Sequence, residues 1–376
     1  MLKQIKKNIS INVQSAFGQK VNRRIVVFES DDWGGIRMPS VAVYNALIKK
    51  GLPVQHDHFS RLDSNASSED LASLFSVLTK HKDGNGKHPV FTFNVTTGNP
   101  DFDKIRRHDY TRFFMEPFYE TLKRSRPDAL SLWKEGMDGG LMFPQFHGRE
   151  HVHQQRWLDS LRSGDEKIRT AFDYEVFGLR SDVDSAEYFM AAYDYPGQEA
   201  CVYQQQSLTE GLDIFEQFFG FVPKSFIPPC YISSPAVLDY LFKQGVVALQ
   251  GKIIHLFPQG MDGGRRSYKR YWRKSGLNSK TGRVNLVRNC FFEPSSKPGF
   301  DWVDYCLKRM EVAFKWGKPV VIDTHRVNYI GQLVESNRTS NLNLLNKLLG
   351  EMLKKWPDIA FMHSEQLVNL YTENDG

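Results

Sequence analysis

Two adjacent carboxylates, Asp31 and Asp32, follow a run of apolar residues that is typical of a buried strand. Much later in the chain, His147 and His151 place two imidazoles four residues apart, and another apolar run ends on His325. Charge is costly at the end of a buried strand unless it is paired or bound to a metal ion. Because carboxylates and imidazoles are the ligands of divalent cations that activate water, these segments predict a metal-dependent hydrolase.

Asp32, His147 and His151 form the predicted metal-ligand set. Histidines at positions i and i+4 share one helical face, so a helical turn after the preceding strand would aim both imidazoles at one point. Taken alone, such a pair is more often two structural histidines that hydrogen-bond to their surroundings. Asp31 and Asp32 could likewise form a turn, or cap a helix, ahead of Trp33. The metal interpretation is favoured because each motif directly follows a predicted strand.

Neighbouring polar residues could support this chemistry. Asp31, beside the ligand Asp32, is placed to act as a general base that takes a proton from water. Asp323 lies two residues before His325 and could orient its imidazole, or could instead pair with a cation such as Arg326.

Several other polar residues have a structural interpretation that competes with the functional one. Asn94 and Asn99 could hydrogen-bond to sugar hydroxyls or form Asx turns. Glu29 could supply a ligand, although a buried ion pair suits it better. His153 is expected to face solvent or substrate, and the histidine-containing triplet at 56–58 is expected in a surface loop.

One concentrated basic patch is interleaved with aromatic residues. It could bind a phosphate, a nucleotide-linked sugar, an anionic glycan or single-stranded nucleic acid. A solvated hairpin is the simpler interpretation, and we expect no nucleic-acid partner. The basic residues of the patch are Arg265, Arg266, Lys269, Arg270, Arg273 and Lys274.

The elements that must position these residues alternate between short apolar runs and amphipathic stretches. Predicted strands are 24–29, 90–95, 141–146, 225–228, 246–250, 283–290, 320–325 and 359–363. Predicted helices are 40–50, 69–80, 155–162, 185–190, 208–219, 234–244, 302–316 and 341–355. Repeated strand–helix units indicate a parallel sheet covered by helices, either a barrel or a doubly wound layer. The strand count favours a distorted (β/α) barrel of about seven strands, whose functional residues would collect at the C-terminal strand ends.

Length and composition set the broad class. The 376 residues fit a single barrel domain over 1–376 with insertions near 55–68, 96–110 and 257–282. The net charge of +6, from 49 basic and 43 acidic residues, is only a mild excess. The sequence offers no apolar run of about 18 residues for a membrane span and no secretory apolar segment behind the N-terminal lysines. Four widely spaced cysteines fit reduced thiols, so a cytoplasmic location is expected.

Two of these motifs resemble those of a known family, the polysaccharide deacetylases of the NodB-homology type, also called carbohydrate esterase family 4. Residues 28–34 look like its first motif, in which the first aspartate, here Asp31, is the catalytic base and the second, Asp32, binds the metal. Residues 147–151 look like its second motif, which supplies two metal-binding histidines.

Two later segments extend the resemblance, which spans roughly residues 24–330. Residues 219–230, with their strand and double proline, are similar to the segment leading into the third motif, whose oxyanion position falls on the backbone N–H of Cys230. Residues 322–325, after a Gly-Lys-Pro turn at Gly317, are similar to the last motif, whose histidine is a general acid. The resemblance implies a NodB-type barrel, one divalent metal and an acylated saccharide substrate. Zinc is the expected metal, although the ligand set also suits cobalt, nickel or iron.

The chain departs from that family at three points. Ile227 stands where the family has an arginine that orients the base. Gly148 replaces a small hydroxyl residue, which would remove a hydrogen bond near the metal. The fourth motif, an acidic pair with tryptophan, has its nearest candidate at Asp301 and Trp302, which could equally be the start of a helix.

The resemblance predicts a hydrolase that removes an acyl group, expected to be acetyl, from a carbohydrate in surface-polysaccharide or lipopolysaccharide metabolism. His325 would protonate the leaving group, and Trp33 and Arg326 would support the site or contact substrate. One alternative is a catalytically impaired carbohydrate-binding protein on the same fold, motivated by Ile227. Another is a glycosidase that pairs Asp31 with a second carboxylate. The sequence does not indicate the oligomeric state.

Overall fold

The chain builds a mixed α/β fold around one mostly parallel sheet. The computed structural model describes residues 12, 15–179, 189–195, 198–262 and 265–373. Its strands are β1 Ile25–Trp33, β2 Phe91–Val95, β3 Gly98–Pro100, β4 Met115–Pro117, β5 Met142–Phe146, β6 Ser225–Phe226, β7 Ala248–Gly251, β8 Ile254–Asp262, β9 Arg265–Trp272, β10 Gly276–Asn278, β11 Arg283–Val287, β12 Cys290–Phe291, β13 Val320–His325 and β14 Ala360–Phe361. The main sheet has the order β10-β11-β7-β6-β5-β2-β1-β13-β12, with β14 paired to β1.

Helices fill most of the connections between these strands. They are α1 Val41–Lys49, α2 His58–Leu62, α3 Ser68–Leu78, α4 Phe102–Arg107, α5 Phe118–Ser125, α6 Ala129–Asp138, α7 Gln154–Arg162, α8 Glu166–Asp173, α9 Gln198–Phe219, α10 Pro235–Lys243, α11 Trp302–Lys315, α12 Glu335–Lys355 and α13 Ser364–Glu373. In the part of the chain that the structure describes, no helix has both the length and the apolar character needed to cross a membrane.

The predicted α/β class and parallel sheet are confirmed, and each predicted strand falls on an observed one. The strand predicted at 283–290 is two strands, β11 and β12, which lie in different parts of the sheet. Among the described strands of the main sheet, only β10 runs antiparallel to its neighbour. The described residues contain no pairing between the end strands β10 and β12, so the closed barrel is not observed.

Both faces of the sheet are buried, as expected for parallel strands. Along β1, Val26 and Phe28 pack into the largest core cluster, whereas Ile25 and Val27 pack on the other face with Leu367 of α13. This alternation follows from the two-residue period of a strand. A strand buried on both sides is rigid, so the residues at its carboxyl end are held in fixed positions.

The three expected loop insertions contain secondary structure of their own. Residues 55–68 include α2, and residues 96–110 include β3 and α4. In 257–282, β8 and β9 form an antiparallel hairpin, as the simpler interpretation of the basic patch predicted. Of the helix predicted at 185–190, positions 185–188 lie outside the described residues. The single domain over 1–376 stays a prediction.

Candidate active site

Strand register brings the distant motifs to one edge of the sheet. β1 pairs with β13 in parallel, which sets Asp31 directly beside His325 and Glu29 beside Asp323. On the other side of β1 lies β2, and β2 pairs with β5, the strand that ends one residue before His147. Because parallel strands end at the same edge, side chains more than a hundred residues apart share one site.

Asp32, His147 and His151 converge on one point, as the sequence predicted. The Nε2 atoms of His147 and His151 lie 3.4 and 3.5 Å from Oδ1 of Asp32. One ligand atom from each of the three residues lies within 4.8 Å of the others. Their side chains are at most 10% exposed, so the three donor atoms face each other inside the protein.

The two histidines do not lie on a helix, which contradicts the sequence prediction. Residues 147–153 form an irregular loop, and α7 begins at Gln154. The loop is left-handed at Gly148, with φ +88°. Its carbonyls at Gly148 and Arg149 accept backbone hydrogen bonds from Thr97 and Gly98, at 3.1 and 2.6 Å. These bonds take the place of helical ones and hold both imidazoles toward Asp32.

The donor set fits a divalent cation. Nδ1 of His147 lies 2.8 Å from the carbonyl oxygen of Ile227, which can only accept, so Nδ1 carries the proton and the lone pair of Nε2 faces Asp32. Burial, aided by the nearby Arg37 guanidinium, holds the pKa of His151 well below its ordinary value, so this imidazole is neutral. Two imidazoles and a carboxylate are a typical divalent-metal set.

Arg37 is a partner of the metal-ligand set that the sequence analysis missed. Its Nη2 lies 3.1 Å from Oδ2 of Asp32, the oxygen that does not face the histidines. Burial opposes ionisation of Asp32, but the Arg37 guanidinium outweighs it and holds the pKa of Asp32 well below its ordinary value. Asp32 also has a left-handed backbone, with φ 74°, where the register of β1 against β2 shifts. Such a conformation is costly outside glycine and is held here by its surroundings.

Arg288 is the arginine that contacts Asp31. It approaches from a different position than residue 227, where the resembled family has its arginine and this chain has Ile227. Its Nη1 and Nη2 donate to the two carboxylate oxygens of Asp31 at 2.7 and 2.6 Å. Burial alone would raise the pKa of Asp31, but the Arg288 guanidinium outweighs it and lowers the pKa to about 2. Asn94 donates to Oδ1 of the same carboxylate at 2.7 Å, so it supports Asp31 from within β2 and is buried. The position of Asn94 therefore favours support of Asp31 over the sugar contact that the sequence suggested.

The same guanidinium binds two further buried carboxylates. Arg288 donates to Glu29 at 2.7 Å and to Asp323 at 2.6 Å. The buried ion pair expected of Glu29 is thus observed. Asp31, Asp323 and His325 also have ligand atoms close enough to hold an ion, but Arg288 already lies between the two carboxylates. Of the two groups, the one at Asp32 is therefore the better candidate for a cation.

Glu293 holds His325, a role for which Asp323 was one candidate; Asp323 pairs instead with a cation, Arg288. Nδ1 of His325 lies 2.5 Å from Oε1 of Glu293, and its Nε2 faces Oδ2 of Asp31 at 3.7 Å. Burial disfavours the charged imidazole, but Glu293, Asp31 and Asp323 together outweigh it and raise the pKa of His325 to about 10. At neutral pH this histidine is a protonated donor.

Three sequence candidates lie away from the reacting centre or serve only the scaffold. Trp33 is buried and stacks on Phe93 with ring centroids 3.6 Å apart. Arg326 forms a buried two-pronged pair with Asp63 at 3.1 and 3.0 Å, so it does not pair with Asp323. His153, expected to face solvent or substrate, is buried and is the N-cap of α7, where burial lowers its pKa to about 4.

The remaining motif candidates have local explanations. Asp301 caps α11 by accepting from the backbone N–H of Asp304 at 3.0 Å, so it is a helix start. In the basic patch, Arg273 is buried and donates to backbone carbonyls, including that of Gln250 at 3.0 Å. Asp57, in the triplet 56–58, caps α2.

The backbone at Cys230 and the residue after it has an unusual conformation. Cys230 and the next residue, Tyr231, are both left-handed, with φ 58° and 59°. The Tyr231 hydroxyl donates to Oδ2 of Asp323 at 3.3 Å, which connects this turn to the end of β13. The oxyanion role of the Cys230 N–H stays a prediction.

No family model matches the chain, and no curated protein matches it. Similar solved structures include a protein from Mycobacterium smegmatis assigned as a polysaccharide deacetylase (12% identity, 96% of this chain and 95% of that one, TM-score 0.47). Others are a family 4 acetyl xylan esterase from Clostridium thermocellum in complex with cobalt (12%, 92% and 91%, TM-score 0.36) and a CE4 family pseudoenzyme from Bacillus anthracis (9%, 94% and 68%, TM-score 0.39). The family that the sequence motifs resemble is thus represented among the neighbours. What this chain does is inferred from its own site.

Proposed function

We propose that the chain is a metal-dependent hydrolase that removes an acyl group, first of all acetyl, from a carbohydrate. The observation that carries this proposal is the convergence of Asp32, His147 and His151 beside an Asp31–His325 pair. Asp32, His147 and His151 would hold the cation, and zinc suits two imidazoles and a carboxylate, as do cobalt, nickel and iron. When bound, such a cation acidifies water and polarises an acyl oxygen.

The protein's own residues would divide the proton transfers between them. Asp31 is ionised at working pH and would take a proton from the attacking water. With a pKa of about 2 it holds that proton weakly, so it depends on a water that is already acidic. His325, protonated and aimed through Nε2 toward Asp31, would give a proton to the departing amine or alcohol. The backbone N–H of Cys230 would stabilise the oxyanion of the tetrahedral intermediate.

The contact of Arg288 with Asp31 weakens the case for a catalytically impaired binding protein. That alternative was drawn from Ile227, and Arg288 now orients Asp31 from another strand end. The glycosidase alternative needs two carboxylates on opposite sides of a bond, one with a raised pKa. Asp31 and Asp323 instead share one nitrogen of Arg288, and the pKa of Asp31 is lowered. A cytoplasmic location, with a polysaccharide or lipopolysaccharide intermediate as substrate, stays part of this proposal.

The test is acetate release from acetylated oligosaccharides before and after chelation. We expect activity to vanish in a chelator and return with zinc, and Asp31→Asn to keep its metal while losing activity about 10²–10⁴-fold. Metal content would be measured on each sample by mass spectrometry. Full acetate release by the chelated, metal-free protein would refute the metal-dependent mechanism. New reducing ends formed without acetate would instead favour the glycosidase alternative.

A further inference from the structure

A cleft of about 610 Å³ opens directly beside His325. Asp323, Glu293 and His325 line its inner part, next to the proposed proton donor. A group that receives a proton from His325 would leave toward this cleft. The cleft therefore holds the part of a substrate that carries the departing amine or alcohol, rather than the acyl group.

One side of the cleft is aromatic. Phe300 and Trp302 lie edge to face with ring centroids 5.0 Å apart, and Tyr305 lies 5.8 Å from Trp302. Trp302 is fixed by its indole N–H, which donates to the Lys297 carbonyl at 3.2 Å. All three residues are half-buried and line the cleft or lie at its wall. Aromatic faces with a few polar groups are what a sugar-sized ligand site requires.

Two exposed lysines line the same cleft. Nζ of Lys252 lies 4.4 Å above the ring of Tyr231, and Nζ of Lys297 lies 4.6 Å above that of Phe300. Within the described ranges, the lysines that pair with carboxylates are others, namely Lys104, Lys123, Lys308, Lys315 and Lys355.

The acidic groups of the cleft are already compensated. Glu293 binds His325 and Asn328, at 2.5 and 2.7 Å. Asp323 binds the Arg288 guanidinium at 2.6 Å. Each of these two carboxylates therefore has a cationic partner, although Asp323 shares Arg288 with Asp31 and Glu29. The two lysines at the cleft are the cations that an incoming anion would meet.

We propose that this cleft selects a saccharide with an anionic group, a phosphate or a uronate carboxylate, through Lys252 and Lys297, with a sugar ring against Trp302. This names the substrate class of the proposed hydrolase and rests on that function for the orientation of the leaving group. The selection itself is a binding property of the cleft.

Binding can be measured with sugars that carry no acyl group and so cannot be turned over. Titration calorimetry of the zinc-loaded full chain would compare glucose 1-phosphate, glucose 6-phosphate and glucuronate with methyl glucoside at low ionic strength. We expect an anionic sugar to bind at least about tenfold more tightly than the neutral one. Whether a phosphate or the uronate binds best identifies the anion.

The lysine variants assign that preference to the cleft. Lys252→Gln and Lys297→Gln should each reduce it about threefold to fivefold, and the double variant should remove it. Trp302→Ala should weaken charged and neutral sugars alike. Lys315→Gln is the control, because Lys315 is an exposed lysine of α11 that pairs with Glu311. It should leave the affinity for both kinds of sugar unchanged.

Equal affinity for charged and neutral sugars, or a preference that persists in the double variant, would overturn the proposal. Failure of the hydrolase proposal would look different. The anionic preference would then remain in the calorimeter while no acetate is released from any acetylated saccharide.

Discussion

Arg288 lies where three buried carboxylates meet, and its geometry is what makes Asp31 usable. The Arg288 guanidinium donates to both oxygens of Asp31 and also to Glu29 and Asp323. A lysine ammonium is a single point charge and could not hold the two Asp31 oxygens in the same fixed geometry. The residue therefore has two separable roles, to orient the base and to compensate buried charge.

Arg288→Lys separates these roles. We expect kcat/KM to fall at least about 10²-fold, and the pKa of Asp31 to rise from about 2, because burial is then less fully opposed. Since the ionised form is the active one, the acid limb of the pH–rate profile should move to higher pH. Arg338→Lys is the control, because it disturbs a buried ion pair with Asp70 that does not involve Asp31. It should lower the free energy of unfolding without moving the acid limb. An unchanged acid limb in Arg288→Lys would contradict the role.

Glu293→Gln tests the proton donor. Loss of the carboxylate should lower the pKa of His325 from about 10 by about two units, since an adjacent opposite charge shifts a pKa by one to three. The protonated form is the proposed donor. The alkaline limb of the pH–rate profile should therefore shift to lower pH. The measurement is kcat/KM from pH 6 to 11 at saturating zinc. Glu335→Gln is the control, because the Glu335 side chain is 79% exposed, and it should leave the alkaline limb where it is in the unchanged protein. If the alkaline limb lies at the same pH in both variants, Glu293 does not set the pKa of His325.

At the scale of elements, the loop at 147–153 decides how the histidines are presented. Gly148 was read as the loss of a hydroxyl group that the resembled family has. Its backbone has φ +88°, and a Cβ there would lie 2.5 Å from the hydroxyl of Tyr193. Glycine is therefore required by space as well as by conformation, and a hydroxyl residue does not fit here.

Gly148→Ser should for this reason harm the site rather than restore it. We expect a loss of about 2–5 kcal/mol in the free energy of unfolding, from the left-handed backbone and from overpacking, together with weaker zinc binding. Gly140→Ser is the matched control, because Gly140 is left-handed but a Cβ there meets nothing within 4 Å. It should cost only the backbone part, about 1–2 kcal/mol. Denaturant unfolding and zinc titration measure both effects, and equal losses would disprove the clash with Tyr193.

At the scale of the whole molecule, the proposed cation would link two chain segments directly and a third through His147. Asp32 belongs to β1 and the two histidines to the loop after β5, while His147 also bonds the end of β6 through Ile227. A ligand that binds only the folded protein stabilises it by mass action.

Zinc should therefore raise the thermal midpoint of the metal-free chain. At a hundred times its dissociation constant, the gain in unfolding free energy is about 2.7 kcal/mol. Magnesium is the matched control, because it prefers oxygen ligands and should leave the midpoint in place. Asp32→Asn should greatly reduce the response to zinc. Differential scanning calorimetry measures the midpoint, and an equal shift with both metals would count against a histidine-based site.

The sequence by itself determined the strands and the residues at their ends. Apolar runs marked every strand of the catalytic edge, and the rule that parallel strands end together brought Asp31, Asp32, His147, His151 and His325 into one predicted site. These inferences succeed because burial and strand period are local properties that a linear pattern records.

Only the tertiary structure decided which residues hold that site. Arg288 and Glu293 follow β11 and β12, where a search of strand ends could have noted them, but nothing local pairs Arg288 with Asp31 or Glu293 with His325. The same holds for Arg37 on Asp32 and for the loop that replaced the predicted helix at 147–151. Barrel closure likewise depends on how the two end strands meet. Charge pairing and loop conformation depend on contacts between distant segments, and those exist only after the sheet has formed.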